Sequence, residues 1–384
     1  MNDEVVLASP VRTPIGRFGG ALASATAVDL GVAAAKAVLE RAEVAPGLVD
    51  QTIFGHARQA GCGPNAARQV AVRAGIPVEK PAYGINQACL SGLQAILAAA
   101  RAVRVGEADV VLAGGMESMS RVPYMLEARW GFRMGHRDVV DLMSKDGFLD
   151  PLSGKIMGET AETLARQYAI SREEQDAYAA RSQSRCEEAR RAGRFEDEII
   201  PMGALATDEH PRDGVTPESL AALAPVFSKD GSVTAGNSSG ITDGAAAVLV
   251  MSGEAARRAG LSPLARIVGW RVDGVPPEIM GIGPVPAVRN LLAATGTTLD
   301  AIDLVELNEA FAAQVIAVDR ELHFDPDRLN VNGGAIALGH PIGCSGARVV
   351  VTLLHELVRR RGRLGLATLC VSGGMGGALL LERV

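Results

Sequence analysis

Apolar runs alternate with amphipathic stretches at both ends of the chain. Residues 4–14, EVVLASPVRTP, are mostly apolar and closed by proline, the pattern of a buried strand entering a loop. The spacing in 29–41, DLGVAAAKAVLER, predicts a helix, and 49–57, VDQTIFGHA, a strand. A long apolar helix is predicted over 90–106, LSGLQAILAAARAVRVG, with Gly106 as its stop. Residues 108–120, ADVVLAGGMESMS, read as a buried strand entering a Gly-Gly turn. Strands alternating with helices imply a mainly parallel sheet covered on both faces.

Near residue 119 the texture changes. Charge and turn residues dominate to about residue 240, and 171–193 carries a helix start, Ser171 with Glu174, and a stop at Gly193. This stretch reads as a surface helix within an inserted, mostly helical subdomain. The first texture then returns in the same order: a helix over 285–296, a strand over 301–310, a helix over 344–362 and a strand over 364–377. VDQTIFGH corresponds to IDLVELNE, ACLSGLQA to GCSGARVV, and VVLAGGMES to ATLCVSGGMG. A repeat this long means two similar halves rather than a solenoid. The division is therefore 1–118 with 241–260, an insert over 119–240, and 261–384. A site is expected between the halves.

With 384 residues, 48% of them apolar, the chain can bury a large core. A net charge of −6 gives no basis for nucleic-acid binding. Five scattered cysteines without a C-x-x-C argue against a disulfide framework. The start has no basic segment followed by an apolar one, no polar-free run reaches membrane-spanning length, and LLLERV is not a peroxisomal tripeptide, so a cytoplasmic protein is expected.

The chemistry-bearing residues are each ambiguous alone. Cys89, in NQACLSG, begins an apolar helix, where free N–H groups and the helix dipole favour a thiolate. It could equally be a small buried hydrophobe. His340, in GHPIGCSG, sits in a glycine-rich turn and is either a catalytic group or a satisfied loop histidine. Cys344 reads as structural. Cys370 ends a strand and alone would be core. Asn308 stands at a strand end, where an N-cap is the ordinary role. Six histidines form no close His/Cys array, so no metal is expected.

In this order and at these spacings, NQACLSG, NEAFAAQ, NVNGGAIALGHPIGCSGAR and LCVSGGMGG resemble the thiolase family. The resemblance runs from VRTPIGRFGG through MESMS, MGETAE and VTAGNSSGITDGAAA to the C-terminus. It implies a five-layered αβαβα fold of two pseudo-symmetric halves, with an inserted helical loop domain over CoA. It implies Cys89 as acyl-accepting nucleophile, His340 as its base and Cys370 as the acid/base at the α-carbon. Asn308, through a water, and His340 would form one oxyanion hole, and the N–H groups of Cys89 and Ser372 the other. Ile156, Met157, Met280 and Phe311 would line the acyl end. Arg212 would lie by the adenine and Ser239 on the pantetheine. The implied substrates are acetyl-CoA, CoA and short-to-medium 3-oxoacyl-CoA, with no metal or organic cofactor. GFRMGHRD, 131–138, resembles the segment that joins dimers into homotetramers.

Three departures carry expectations. Ser372 stands where relatives often have Gly, and a positive φ there would strain it. Leu90 replaces a small residue, and Ile156 a histidine. The alternatives are a longer-chain degradative thiolase, another condensing enzyme, which would lack Cys370, or a silent lipid-binding relative, which would lose a catalytic residue.

Overall fold

The computed structural model describes residues 4–384. In chain order the elements begin with β1 (Val5–Arg12), β2 (Gly16–Arg17), α1 (Ala27–Arg41), β3 (Gln51–Gly55), α2 (Ala66–Arg73), β4 (Ala82–Ile85), α3 (Ser91–Val105) and β5 (Val110–Ser118). The middle of the chain holds β6 (Tyr124–Met125), β7 (Val140–Asp141), α4 (Met157–Gln167), α5 (Arg172–Arg191) and α6 (Pro217–Ala221). Then follow β8 (Thr242–Ser252), α7 (Gly253–Arg258), β9 (Ala265–Gly274), α8 (Pro284–Thr295), β10 (Leu304–Leu307), α9 (Ala312–Leu322), α10 (Ala335–Leu338), α11 (Ile342–Arg360), β11 (Leu364–Val371) and β12 (Met375–Arg383).

The main sheet runs β10–β11–β12–β9–β1–β8–β5–β3–β4, with β2 beside β8. Its two halves repeat one pattern. β3 is parallel to β5, β5 antiparallel to β8, and β8 antiparallel to β1. β10 is likewise parallel to β11, β11 antiparallel to β12, and β12 antiparallel to β9. The halves join through a short β1–β9 ladder, Val6 with Arg266 and Leu7 with Ala265.

Side-chain alternation along the strands builds the layers. On β8, Ala246, Val248 and Val250 face a central core formed by α3 and α11, whereas Ala245, Ala247, Leu249 and Met251 face α1 and α2. On β12, Leu379 and Leu381 face the same central core, whereas Ala378 and Leu380 face α8 and α9. The order is helices, half-sheet, helices, half-sheet, helices, which is the five-layered architecture.

Close backbone approach at the centre explains several glycines. A β-carbon on Gly115 would lie 2.2 Å from Gly343 O, and one on Gly346 would lie 2.3 Å from Leu93 N. The Gly-Gly pair at 114–115 therefore lies inside β5 and makes no turn, contrary to the sequence expectation. The missing side chains let the start of α11 sit against β5 and α3. Residues Ala88–Val105 are long and apolar enough for a membrane span by length and composition, though not free of polar residues. That character reflects burial between two half-sheets.

Helix α5 departs from the surface reading as well. Gln175, Asp176, Tyr178, Ser182, Gln183 and Cys186 are buried along it. Tyr178 Oη and Ser182 Oγ donate to Glu309 at 2.8 and 2.7 Å. The polar sequence hid a face buried through hydrogen bonds as well as through apolar contacts of Tyr178, Ala179, Ala180, Cys186 and Ala189. Arg12 also ties the middle region to β1, pairing with Glu198 at 2.6 Å and with both oxygens of Asp208 at 2.6 and 2.9 Å.

Candidate active site

Cys89 lies in the tight turn Ala88–Leu90 that precedes α3. Ala88 has a left-handed backbone, φ 45°, a strained state for a residue with a β-carbon. The turn is locked around it: Gln87 N–H donates to Ser91 Oγ at 2.9 Å, and Ser91 Oγ donates to Ala88 O at 2.7 Å. Cys89 is partly exposed on this turn. Burial of the sulfur raises its pKa, and this outweighs Arg58 and the backbone N–H groups of Ser372 and Cys89, which favour the thiolate. The expected thiolate at the helix start is thus corrected: the resting group is a thiol that needs a base.

His340 follows Gly339 in the loop between α10 and α11, and its N–H bonds to Gly240 O at 2.9 Å. The neighbouring hydrogen bonds fix its tautomer. Ser345 Oγ donates to Pro341 O at 3.0 Å, so it accepts from His340 Nδ1–H at 2.5 Å. Nε2 keeps its lone pair and faces Asn308 Nδ2 at 3.4 Å. Burial first, then the cations Arg348 and Arg58, push the His340 pKa down to about 3. The imidazole is neutral at neutral pH.

That depression predicts a pH dependence. Between about 3 and the ordinary histidine value of about 6.5 the unfolded chain binds a proton here that the folded one does not. Stability should therefore fall as pH drops through this window, by up to about 1.4 kcal/mol per unit from this group. In urea unfolding at pH 7, 6 and 5, His340→Asn should lose less stability on acidification than the unsubstituted protein. Parallel losses would contradict the buried neutral imidazole.

Cys370 is fully buried near the end of β11. Burial and then the nearby Cys89 charge hold its thiol well above the usual range. Around it pack Met280, Phe311, Ala310, Ala161 and Val233, with Met157 and Phe227 at the margin. Phe227 and Phe311 meet edge to face at 6.1 Å. Three of the four expected acyl-end residues therefore share one apolar cluster with Cys370. Ile156 sits one residue upstream of Met157, where its backbone bridges Leu149 and its N–H bonds Glu159 at 2.9 Å.

Ser372 escapes the anticipated strain, because Gly373 and Gly374 carry the positive φ values of the turn, 88° and 84°. Leu90 is fully buried, and the β12 glycine at 377 leaves it room. Asn308 does not cap a helix: α9 begins at Ala312 with Phe311 at its N-cap. The Asn308 N–H instead bonds Thr368 O at 3.0 Å, and its buried Oδ1 has no hydrogen-bond partner among the described residues. Cys344 is buried in the central core, which lifts its thiol to about 12. Arg212 is exposed, and its N–H bonds Gln183 Oε1 at 3.2 Å. Ser239 is half-buried, with its N–H on Ala310 O at 3.0 Å.

Sequence reasoning passed over two carboxylates that hold the loops. Glu117 accepts from the N–H groups of Ala57, Arg58 and Gly343 at 3.2, 3.1 and 2.9 Å. Glu309 accepts from Tyr178, Ser182, Asn330 and the Ile336 N–H. Each is an acidic residue at the end of an apolar strand, a signal available in MESMS and LNEA.

Two cysteines near each other, one from each α/β half, fit an acyl-transferring enzyme. Residues 5–254 match the thiolase N-terminal domain and 261–383 the thiolase C-terminal domain. The acetyl-CoA acetyltransferase of Rhizobium meliloti is 51% identical over 391 positions, covering 100% of both chains. The crystal structure of human mitochondrial 3-ketoacyl-CoA thiolase in complex with CoA matches with a TM-score of 0.96 at 46% identity, over 99% of this chain and 98% of that one. The acetyl-CoA acetyltransferase structure from Syntrophomonas wolfei gives 0.98 at 41% identity over the full length of both. The chain belongs to the thiolase family.

Proposed function

We propose that the protein condenses two acetyl-CoA molecules to acetoacetyl-CoA and CoA, and runs the reverse thiolysis on short-to-medium 3-oxoacyl-CoA. The names of its relatives support the acetyl-CoA chemistry. The observation that carries the residue assignment is a junction of the two halves: the Ser372 N–H, from the C-terminal half, acts on the sulfur of Cys89, from the N-terminal half.

In the first half-reaction Cys89 attacks the thioester and its proton passes to His340 Nε2. The N–H groups of Cys89 and Ser372 hold the oxyanion. The leaving CoA thiolate takes its proton from Cys370. The resulting Cys370 thiolate then removes the α-proton of a second acetyl-CoA. Asn308, through a water, and the protonated His340 hold the enolate, which attacks acyl-Cys89. The released Cys89 thiolate recovers its proton from His340, closing the cycle. Thiol chemistry suits both directions, because cysteine is a soft nucleophile and a good thioester leaving group. The cycle draws on no metal or organic cofactor.

The same reading places Arg212 by the adenine and Ser239 on the pantetheine. It keeps the division into 1–118 with 241–260, 119–240 and 261–384, in the cytoplasm. It also makes the protein a homotetramer through 131–138, a reading supported by the exposure of Trp130, Phe132 and Met134. Steady-state thiolysis with acetoacetyl-CoA and CoA tests the activity. Turnover to acetyl-CoA is expected, with 3-oxohexanoyl-CoA also accepted at a graded rate, since one methylene is worth only about 1–3 kcal/mol. No turnover of either would overturn the reading.

A further inference from the structure

Away from the catalytic residues the chain brings a second cysteine and a second histidine together. His56 follows β3 and is 1% exposed. Neither of its ring nitrogens has an aligned hydrogen bond among the described residues. The ring is flanked instead by the Glu117 carboxylate, with Oε1 3.3 Å from Nε2, and by the Cys62 sulfur within hydrogen-bond reach. Cys62 lies in the loop between β3 and α2. Its N–H bonds Gln59 O at 3.2 Å, and its carbonyl accepts from Gln69 Nε2 at 2.8 Å. Gly61 and Gly63 on either side carry positive φ values, 78° and 72°, and are exposed. The turn therefore brings the half-buried Cys62 to the ring while its flanks stay in solvent.

The charge on this ring explains the arrangement. Burial lowers the His56 pKa, but Cys62 and then Glu117 outweigh it and lift the value to about 9. The imidazole is a cation at neutral pH. Glu117 is already engaged by the N–H groups of Ala57, Arg58 and Gly343. A buried cation needs an anion beside it, and the sulfur is the other group that can supply one. An imidazolium next to a thiol favours the thiolate, which is the nucleophilic form. The ordinary role of a free cysteine is a small buried hydrophobe. Among the described residues Cys62 joins none of the apolar clusters, and the proposed cycle does not use it.

We propose that Cys62 is a modification site, whose thiolate opens low-molecular-weight disulfides and holds one half as a mixed disulfide. The Cys62 sulfur attacks one sulfur of the small disulfide, so a new S–S bond forms as the old one breaks. The electron pair leaves on the released thiolate, which takes its proton from His56. The protein thiol is oxidised and the small disulfide is reduced by the same two electrons. Excess small thiol reverses the step, returning the proton to His56. The site stands against both catalytic loops. His56 N–H bonds Ile85 O at 2.9 Å, at the end of the strand that leads to Cys89. A β-carbon on Gly343, at the start of α11 beside His340, would lie 2.9 Å from His56 Cα.

The test incubates the intact protein at pH 7 with glutathione disulfide in one arm and CoA disulfide in the other. Samples are quenched in acid, digested, and the adducts mapped over time by mass spectrometry. A synthetic peptide of residues 58–66 is the comparator, because it carries the same thiol without His56. An ordinary thiol is about 3% thiolate at pH 7. The gain from full ionisation is partly offset by lower nucleophilicity, so Cys62 in the protein should react roughly 10-fold faster than the peptide. His56→Gln should bring the rate down to that of the peptide or below, and excess reduced glutathione should remove the adduct. A faster adduct in one arm identifies the disulfide that the loop accepts. Reaction of Cys62 no faster than the peptide, an unchanged rate in His56→Gln, or adducts confined to Cys89 would overturn the proposal. The comparison with the peptide needs only the unsubstituted protein, so it decides the matter even where His56→Gln folds poorly. Thiolysis is not part of the readout, and failure here leaves the thiolase reading intact.

Discussion

Cys370→Ala is expected to abolish condensation while acyl transfer onto Cys89 remains measurable. The two thiols sit in different surroundings, and the proposed cycle gives them different work. Cys89 is partly exposed on a strained turn, whereas Cys370 is fully enclosed by Met280, Phe311 and their neighbours. Removing the Cys370 sulfur takes away the group assigned to remove the α-proton in the proposed cycle, so enolate formation should collapse. Acylation needs only Cys89, His340 and the backbone donors, and it should persist at a reduced rate because the leaving CoA must draw its proton from water. Exchange of acetyl protons with deuterated water should fall with condensation. Condensation at a rate near that of the unsubstituted protein would show that another group is the base.

Asn308→Ala should slow condensation by roughly 10²–10³-fold, the usual loss for one oxyanion donor. Its amide lies at the mouth of β10, with Nδ2 toward His340 and Oδ1 unpartnered. Its backbone, bonded to Thr368 O, is untouched by the substitution. Little packing is lost, so the melting temperature should stay within a few degrees. A large fall in melting temperature with unchanged turnover would make Asn308 a structural residue.

The chain shows which parts of such a site are legible from sequence. Periodicity located β3, α3, β10 and α11, because each buries apolar residues at a fixed spacing. It missed Gly114 and Gly115 within β5, because the contact that demands glycine comes from Gly343, far along the chain. It misjudged α5 because much of its buried face is polar and satisfied by Glu309, beside a few small apolar residues. Charge state was the least legible property. Cys89 at a helix start promised a thiolate, yet the balance depends on how much solvent the opposite half removes. Arg58 was passed over for the same reason: an arginine after a strand ordinarily reaches solvent, and here it is buried.

The central claim is that Cys89 carries the acyl group. The protein should be incubated with acetyl-CoA, quenched in acid, digested, and its peptides mapped by mass spectrometry. The account predicts an acetyl group on Cys89 alone, and its loss when CoA is added back. An acetyl group on Cys370 or Cys344 with Cys89 unmodified would contradict it.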